Sequence, residues 1–237
     1  MSLPRAPTTP DEELLEAESL TIASQLDDEA RMGRVRDELR RGFGALAHVG
    51  KAVSIFGSAR SSPEEPSYER ARALARALGE DGFAIITGGG PGIMEAANRG
   101  ARDAGVSSIG LGIDLPLEQH LNAWVDLPLE FHYFFTRKVM FVRYASAFVV
   151  FPGGFGTLDE LFEAATLRQT EKIRHFPIVL FDSAFWGGLV AWLRDPVQDE
   201  GKVSGRDVDL LEVTDDPARV LDLVREVEHR RPRAQEA

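Results

Sequence analysis

Four short runs, AVSIF (52–56), FAIIT (83–87), AFVVF (147–151) and PIVLF (177–181), are apolar at nearly every position. A strand with one wet face alternates apolar and polar residues, whereas a continuous apolar run needs cover on both faces. Stretches with helical periodicity separate the runs. Doubly covered strands alternating with helices select an α/β fold, a doubly wound parallel sheet of the Rossmann-like type. Such sheets bind ligands outside the carboxyl ends of their strands.

The 237 residues suit one such domain with a helical N-terminal extension. Residues 1–10 read as a disordered tail, 11–49 as the helical extension, 50–229 as the Rossmann-like nucleotide-binding domain and 230–237 as a C-terminal tail. Gly33, Gly42 and Gly44 interrupt the helical pattern of the extension. Strands are predicted at 52–56, 83–87, 108–113, 147–151, 178–181 and 210–213, with a short one at 125–127. Helices are predicted at 66–78, 93–104, 134–145, 158–169, 185–193 and 217–227, the last with Thr214 as N-cap.

Lys and Arg number 27 against 38 Asp and Glu, a formal charge of −11. So acidic a chain is a poor partner for nucleic-acid backbones or anionic membranes. With no cysteine, disulfides, thiolate metal sites and cysteine nucleophiles are excluded. His48, His120, His132, His175 and His229 show no metal-ligand spacing, so no metal and no cofactor is expected. The Pro-rich, acidic N-terminus does not read as a secretory signal, and no apolar run approaches the roughly 20 residues of a membrane span. The expected location is cytoplasmic.

Three glycine turns punctuate the predicted carboxyl edge: Gly57-Ser58-Ala59, the run Gly88-Gly89-Gly90-Pro91-Gly92, and Gly153-Gly154-Phe155-Gly156-Thr157. Glycine lets backbone amides approach a ligand, and a helix start adds unpaired N–H groups and partial positive charge. A single such loop is as well explained by a tight turn as by an anion site. Three on one edge point to a phosphorylated ligand. The dinucleotide fingerprint fails, because Ile93 and Asp159 stand where the third glycine belongs, and no Gly-Lys-Ser/Thr P-loop occurs. A mononucleotide or sugar phosphate remains.

Glu160 follows Gly156 by four residues and Thr157 by three, so its carboxylate stands over the first turn of the predicted helix. The core stripe is expected on Leu158, Leu161, Phe162 and Ala165. Thr157-Leu158-Asp159-Glu160 also reads as a capping box, in which Glu160 bonds back to the cap. Arg137 and Lys138 stand among Phe134, Phe135, Phe141 and Tyr144, either facing an anion or as a snorkelling surface pair. Glu95 could accept hydrogen bonds from ribose or simply complement a helix dipole.

The segments Gly88-Gly89-Gly90-Pro91-Gly92-Ile93-Met94-Glu95 and Pro152-Gly153-Gly154-Phe155-Gly156-Thr157-Leu158-Asp159-Glu160 resemble the paired motifs of the LOG family, the cytokinin riboside 5′-monophosphate phosphoribohydrolases often mislabelled lysine decarboxylases. The second matches P-G-G-x-G-T-x-x-E at every fixed position, and Arg137-Lys138 falls where that family carries its Arg-Lys. The resemblance spans roughly residues 50–195. It implies hydrolysis of the N-glycosidic bond of an AMP-like nucleotide to free base and ribose 5-phosphate. It assigns Arg137 and Glu160 as the catalytic pair. Gly57, Ser58, Gly89, Gly90, Gly92, Met94, Glu95, Lys138, Gly153, Gly154, Gly156 and Thr157 would then bind substrate. The decarboxylase label needs an activated Schiff-base lysine, and only Lys138 is near the cleft.

Two other readings share the glycine loops: a carrier of a nucleotide-like ligand such as the molybdenum cofactor, and a nucleosidase of broad purine or pyrimidine range. The aromatic stretch 131–144 is too apolar for an exposed face, and with the resemblance it implies a homodimer or larger homo-oligomer.

Overall fold

The computed structural model describes residues 9–15, 27–115, 121–173 and 176–230. Residues 1–8 and 231–237 of the predicted tails, 16–26 of the extension, and His120 and His175 lie outside them. The elements are α1 (Pro10–Leu15), α2 (Asp28–Leu46), β1 (Ala52–Phe56), α3 (Pro66–Glu80), β2 (Ala84–Thr87), α4 (Ile93–Asp103), β3 (Ser108–Ile113), β4 (Leu127–Phe131), α5 (Phe134–Tyr144), β5 (Ala147–Val150), α6 (Phe155–Gln169), β6 (Ile178–Phe181), α7 (Ser183–Trp192), α8 (Gly205–Val208), β7 (Leu211–Thr214) and α9 (Pro217–Arg230). Leu193–Gln198 continues α7 as a π-helical turn around Pro196, which has no N–H to give.

All seven strands form one parallel sheet in the order β4-β3-β2-β1-β5-β6-β7. The chain builds outward from β1 to β4, returns through α5, and builds outward again from β5. The loops leaving β1 and β5 therefore diverge to opposite faces and open a crevice at the switch point.

The apolar runs are explained by two cores. Ala52 and Phe56 of β1 pack with Ile86, Phe148, Val150, Ile178 and Leu180 against α2, α5, α6 and α7. Val53 and Ile55 pack with Ile85, Val149 and Val179 against α3, α4 and α9. Helix α3 shows how sequence builds the second layer. Pro66 starts it, and Tyr68, Ala71, Leu74, Ala75 and Leu78 bury one stripe.

Several boundaries differ from the sequence reading. Helix α2 runs unbroken through Gly33, Gly42 and Gly44, because packing outweighs the roughly 1 kcal/mol that each glycine costs a helix. The strand expected at 125–127 is instead Leu127–Phe131, where Pro128 is tolerated because β4 is an edge strand. Thr214 is the last residue of β7; the Asp216 side chain accepts the Ala218 N–H at the start of α9. Helix α6 begins at Phe155 rather than 158, with Gly154 as N-cap. Thr157 therefore lies inside the helix, and the Thr157–Glu160 capping box does not form. The buried face of α6 carries Thr157, Glu160, Leu161 and Ala164, whereas Phe162 of the predicted stripe is exposed.

No helix among the described residues is long and apolar enough to cross a membrane.

Candidate active site

Strand β5 leaves the sheet through Phe151-Pro152-Gly153-Gly154 and enters α6 at once. Gly153 is required there, since a Cβ would collide with the Thr157 side chain, which the first turn of α6 lays against it. Gly154 has no side chain to cap the helix, so the positive end of α6 stays open to the crevice. One turn on, Glu160 is carried into the interior with 3% exposure.

Neither Glu160 carboxylate oxygen has a hydrogen-bond partner. Its nearest cation is Arg137 of α5, with Nη2 at 3.7 Å from Oε1. Arg137 is itself mostly enclosed, its Nε unpaired, its guanidinium lying 5.2 Å and 5.5 Å from the ring centres of Phe134 and Phe141. Burial pushes the Glu160 carboxyl up to about 7, against the pull of Lys138 and Arg137. Burial likewise pulls Arg137 below its usual range, against the opposing charge of Glu160. A structural ion pair in such a place is normally closed by hydrogen bonds, because desolvating two charges costs several kcal/mol each. Here the pair is held close and left open, the condition of groups kept for chemistry.

Lys138 behaves differently. It pairs with Asp159 at 2.9 Å and Glu163 at 2.6 Å. Burial lowers its affinity for the proton, but these two carboxylates outweigh it and hold the ammonium above its ordinary range. Neither cation is the surface pair that spacing alone allowed.

The other two glycine loops interlock with this one around Ser58. Its N–H donates to the Pro152 carbonyl at 2.9 Å, and its own carbonyl accepts the Ile93 N–H at 3.0 Å. Gly57 lies against Ile93, where a Cβ would come within 2.6 Å of Cγ2. Gly92 has φ +68°, and a Cβ there would strike the Ser58 carbonyl. The Ser58 and Ile93 amides are thus occupied within the protein; the Ser58 hydroxyl accepts from the Arg60 N–H and keeps its proton to give.

Gly89 and Gly90 are pinned from below. The Asn122 side-chain amide donates to the carbonyls of both, at 3.0 Å, and to Asn98 Oδ1 at 2.9 Å. Thr87 donates to the same Asn98 oxygen and accepts the Gly89 N–H. Met94 packs over the loop, within 2.7 Å of where a Gly90 Cβ would sit. Glu95 accepts from the Tyr68 hydroxyl at 2.9 Å and faces Arg99 at 3.9 Å. Gly156 lies in open space on the first turn of α6.

These contacts join Arg137, Lys138, Glu160, Thr157, Gly153 and Gly154 into one constellation, with Gly57, Ser58 and Gly92 tied to it through Pro152. Gly89, Gly90, Met94 and Glu95 form the neighbouring loop and helix start. Sequence reasoning missed Thr87, Asn98 and Asn122. Asn98 had left a signal, being a polar residue in the apolar stripe of α4 beside Ala97 and Ala101.

Comparison with known proteins places the chain. A family model described as possible lysine decarboxylase matches residues 94–224. The cytokinin riboside 5′-monophosphate phosphoribohydrolase of Mycobacterium tuberculosis is 33% identical over 171 residues, covering 69% of this chain and 87% of that one. The chain belongs to the LOG family. A LOG relative from Arabidopsis thaliana, LOG7, is 29% identical over 161 residues, covering 65% of this chain and 71% of its own. Among solved structures, the molybdenum cofactor carrier protein of Chlamydomonas reinhardtii superposes with a TM-score of 0.56 at 20% identity, over 76% of this chain and 98% of that one. At that identity the likeness is one of fold. The LOG motifs here fall on the loops after β2 and β5, and the motif Arg and Glu meet across the α5–α6 interface.

Proposed function

We propose that the protein hydrolyses the N-glycosidic bond of a nucleoside 5′-monophosphate, AMP or an N6-modified AMP of the cytokinin type, releasing base and ribose 5-phosphate. One observation carries the reading. Glu160 is a buried carboxylate without hydrogen bonds, poised near neutral pH beside an arginine and one turn from an uncapped helix start. A carrier has no use for a desolvated acid that costs it stability.

In this reading the open amides of α6, with Thr157, Gly153, Gly154 and Gly156, hold the 5′-phosphate, and the Ser58 hydroxyl donates to it. Gly57 and Gly92 keep the loops close enough for that approach, while Gly89, Gly90, Met94 and Glu95 bind the nucleoside. The C1′–N bond breaks through an oxocarbenium-like ribose, as in glycoside hydrolysis. Ionised Glu160 stabilises that cation and takes a proton from the attacking water as the C1′–O bond forms. The water's oxygen ends on C1′, and the proton that Glu160 took from it passes, directly or through solvent, to the departing base, which restores the carboxylate. Arg137, always charged, orients the substrate, and Lys138 holds Asp159 and Glu163 clear of it.

Decarboxylation of lysine does not fit. Pyridoxal phosphate would supply an electron sink through a Schiff base to a neutral lysine. Lys138 is held as an ammonium by two carboxylates. Lys51, Lys172 and Lys202 lie on connections at the amino edge of the sheet.

The reading also includes a homo-oligomer. Of the stretch 131–144, Phe131, Tyr133, Met140 and Phe141 fill the chain's own core, but Phe134, Phe135 and Val139 remain exposed, as does Phe155 of α6. Light scattering should give a dimer or larger; a monomer at working concentration would remove this part.

The test is incubation with AMP, isopentenyladenosine monophosphate, GMP and CMP, with released base resolved by chromatography. Release from one or more is expected. A nucleotide that binds tightly and is recovered whole would overturn the hydrolase in favour of a carrier.

A further inference from the structure

Helix α5 carries Arg137 yet lacks the means to secure its own start. Its N-cap residue, Tyr133, makes no side-chain cap, and its first turn holds no acidic residue. A helix start leaves four N–H groups without intrahelical partners. Here the N-terminal extension takes up one of them, the Phe134 N–H, and grips the residues on either side of it. Glu38 of α2 is buried, with 4% exposure. It accepts the His132 backbone N–H at 2.8 Å, lies 2.7 Å from His132 Nδ1, and accepts the Thr136 hydroxyl at 2.6 Å. Asp11 of α1 accepts the Phe134 backbone N–H and also bears electrostatically on Arg137.

The grip continues along α5. Gly42, one turn beyond Glu38, brings α2 so close to Met140 that a Cβ would come within 2.7 Å of its sulfur. The Phe43 carbonyl accepts the Tyr144 hydroxyl at 3.3 Å, and Arg143 lies over the Phe43 ring at 5.0 Å. Successive turns of α5, at Thr136, Met140 and Tyr144, are thus fastened to α2.

We propose that Glu38 is a positioning residue, which fixes the first turn of α5 and so holds the Arg137 guanidinium at the Glu160 carboxylate. The proposal rests on the reading of Arg137 and Glu160 as the working pair. Its physical basis is that this pair has no hydrogen bond to restore its geometry. The place of the guanidinium is set by its backbone and by two aromatic rings. Thr136 immediately precedes Arg137, so a loosened first turn moves the arginine directly.

The test uses the full chain with Thr136→Val, Thr136→Ser and Glu38→Gln. The Glu160 carboxyl is followed by carbon NMR, assigned with Glu160→Gln, and kcat, KM and thermal midpoint are measured beside it. Thr136→Val and Glu38→Gln should move the Glu160 titration upward by about half a pH unit or more, because its cation has withdrawn. Loss of the Glu38 charge alone would move it downward, so the direction separates displacement from charge. In the same variants kcat should fall about tenfold or more with KM within about twofold, as small displacements from productive geometry do. Thr136→Ser, which keeps the hydroxyl, should restore both. Variants with a lowered midpoint but wild-type titration and kcat would show Glu38 to be structural only and overturn the proposal. If the wild type releases no base from any nucleotide, the hydrolase reading falls, and the Glu160 titration still decides whether Glu38 positions Arg137.

Discussion

Replacing Glu160 by glutamine should make the protein progressively more stable relative to the wild type as the pH rises above about 5. The carboxyl titrates near 4.5 when free in water and is pushed up to about 7 by burial in the fold. Between those values the folded chain binds the proton more tightly than the unfolded chain does. Stability from this group is therefore fully present below about 4.5 and is lost as the pH rises through about 7. The gap of 7 − 4.5 = 2.5 pH units, at 1.36 kcal/mol each, makes the loss about 3 kcal/mol once both states are ionised. Glutamine does not titrate. Whatever constant offset the amide brings, the stability difference between variant and wild type should swing in the variant's favour by roughly 2–3 kcal/mol between pH 5 and pH 8. For a chain of this size that is about 4–12 °C in the thermal midpoint. Urea titrations at the two pH values, read by fluorescence of the buried Trp186, measure it. Every other titrating group is common to both proteins and cancels in the difference. A difference independent of pH would refute the reasoning, since it would mean that Glu160 is solvated or paired in solution.

The same variant should lose about 10²–10⁴-fold in kcat for base release, with nucleotide binding retained; a wild-type rate would remove Glu160 from the chemistry. In the wild type, kcat/KM should rise with pH through a midpoint near 7 and level off above it, because the ionised carboxylate takes the proton from water; a fall across that range would make the neutral acid the active form. Asn122→Ala removes the side-chain amide from the Gly89 and Gly90 carbonyls, leaving Gly89 the backbone N–H of residue 122, and should cost about 1–3 kcal/mol by urea titration, with KM for the nucleotide raised more than kcat is lowered. Gly153→Ala drives a methyl into Thr157 and should destabilise by about 1–3 kcal/mol while abolishing nucleotide binding by calorimetry; unchanged binding would mean that the first turn of α6 does not hold the phosphate.

The sheet was legible because its strands are covered on both faces, and this writes itself as runs such as AFVVF and PIVLF. Strand β4 was misplaced because an edge strand obeys weaker rules: LPLEF carries a proline and only Leu129 and Phe131 are fully buried. The candidate pair, Arg137 and Glu160, was legible through its motifs. Its physical state was not. Spacing offered Glu160 as the last member of a capping box, and only the start of α6 at Phe155 shows that the box does not form. Asn122 and Glu38 left almost no local trace, since each acts on backbone groups distant in sequence, in Glu38's case 94 residues away.

Composition and pattern by themselves determined the doubly wound class, the glycine loops at the carboxyl edge and the residue types available for chemistry there. These follow from local rules, strand periodicity and the freedom of glycine, that hold wherever the chain goes. Tertiary structure alone decided that Glu160 is desolvated, that Arg137 stops at 3.7 Å without bonding to it, and that a helix from the N-terminal extension secures the turn from which Arg137 projects. Burial and through-space charge depend on what surrounds a group, and α2, α5 and α6 become neighbours only when the chain returns across the sheet.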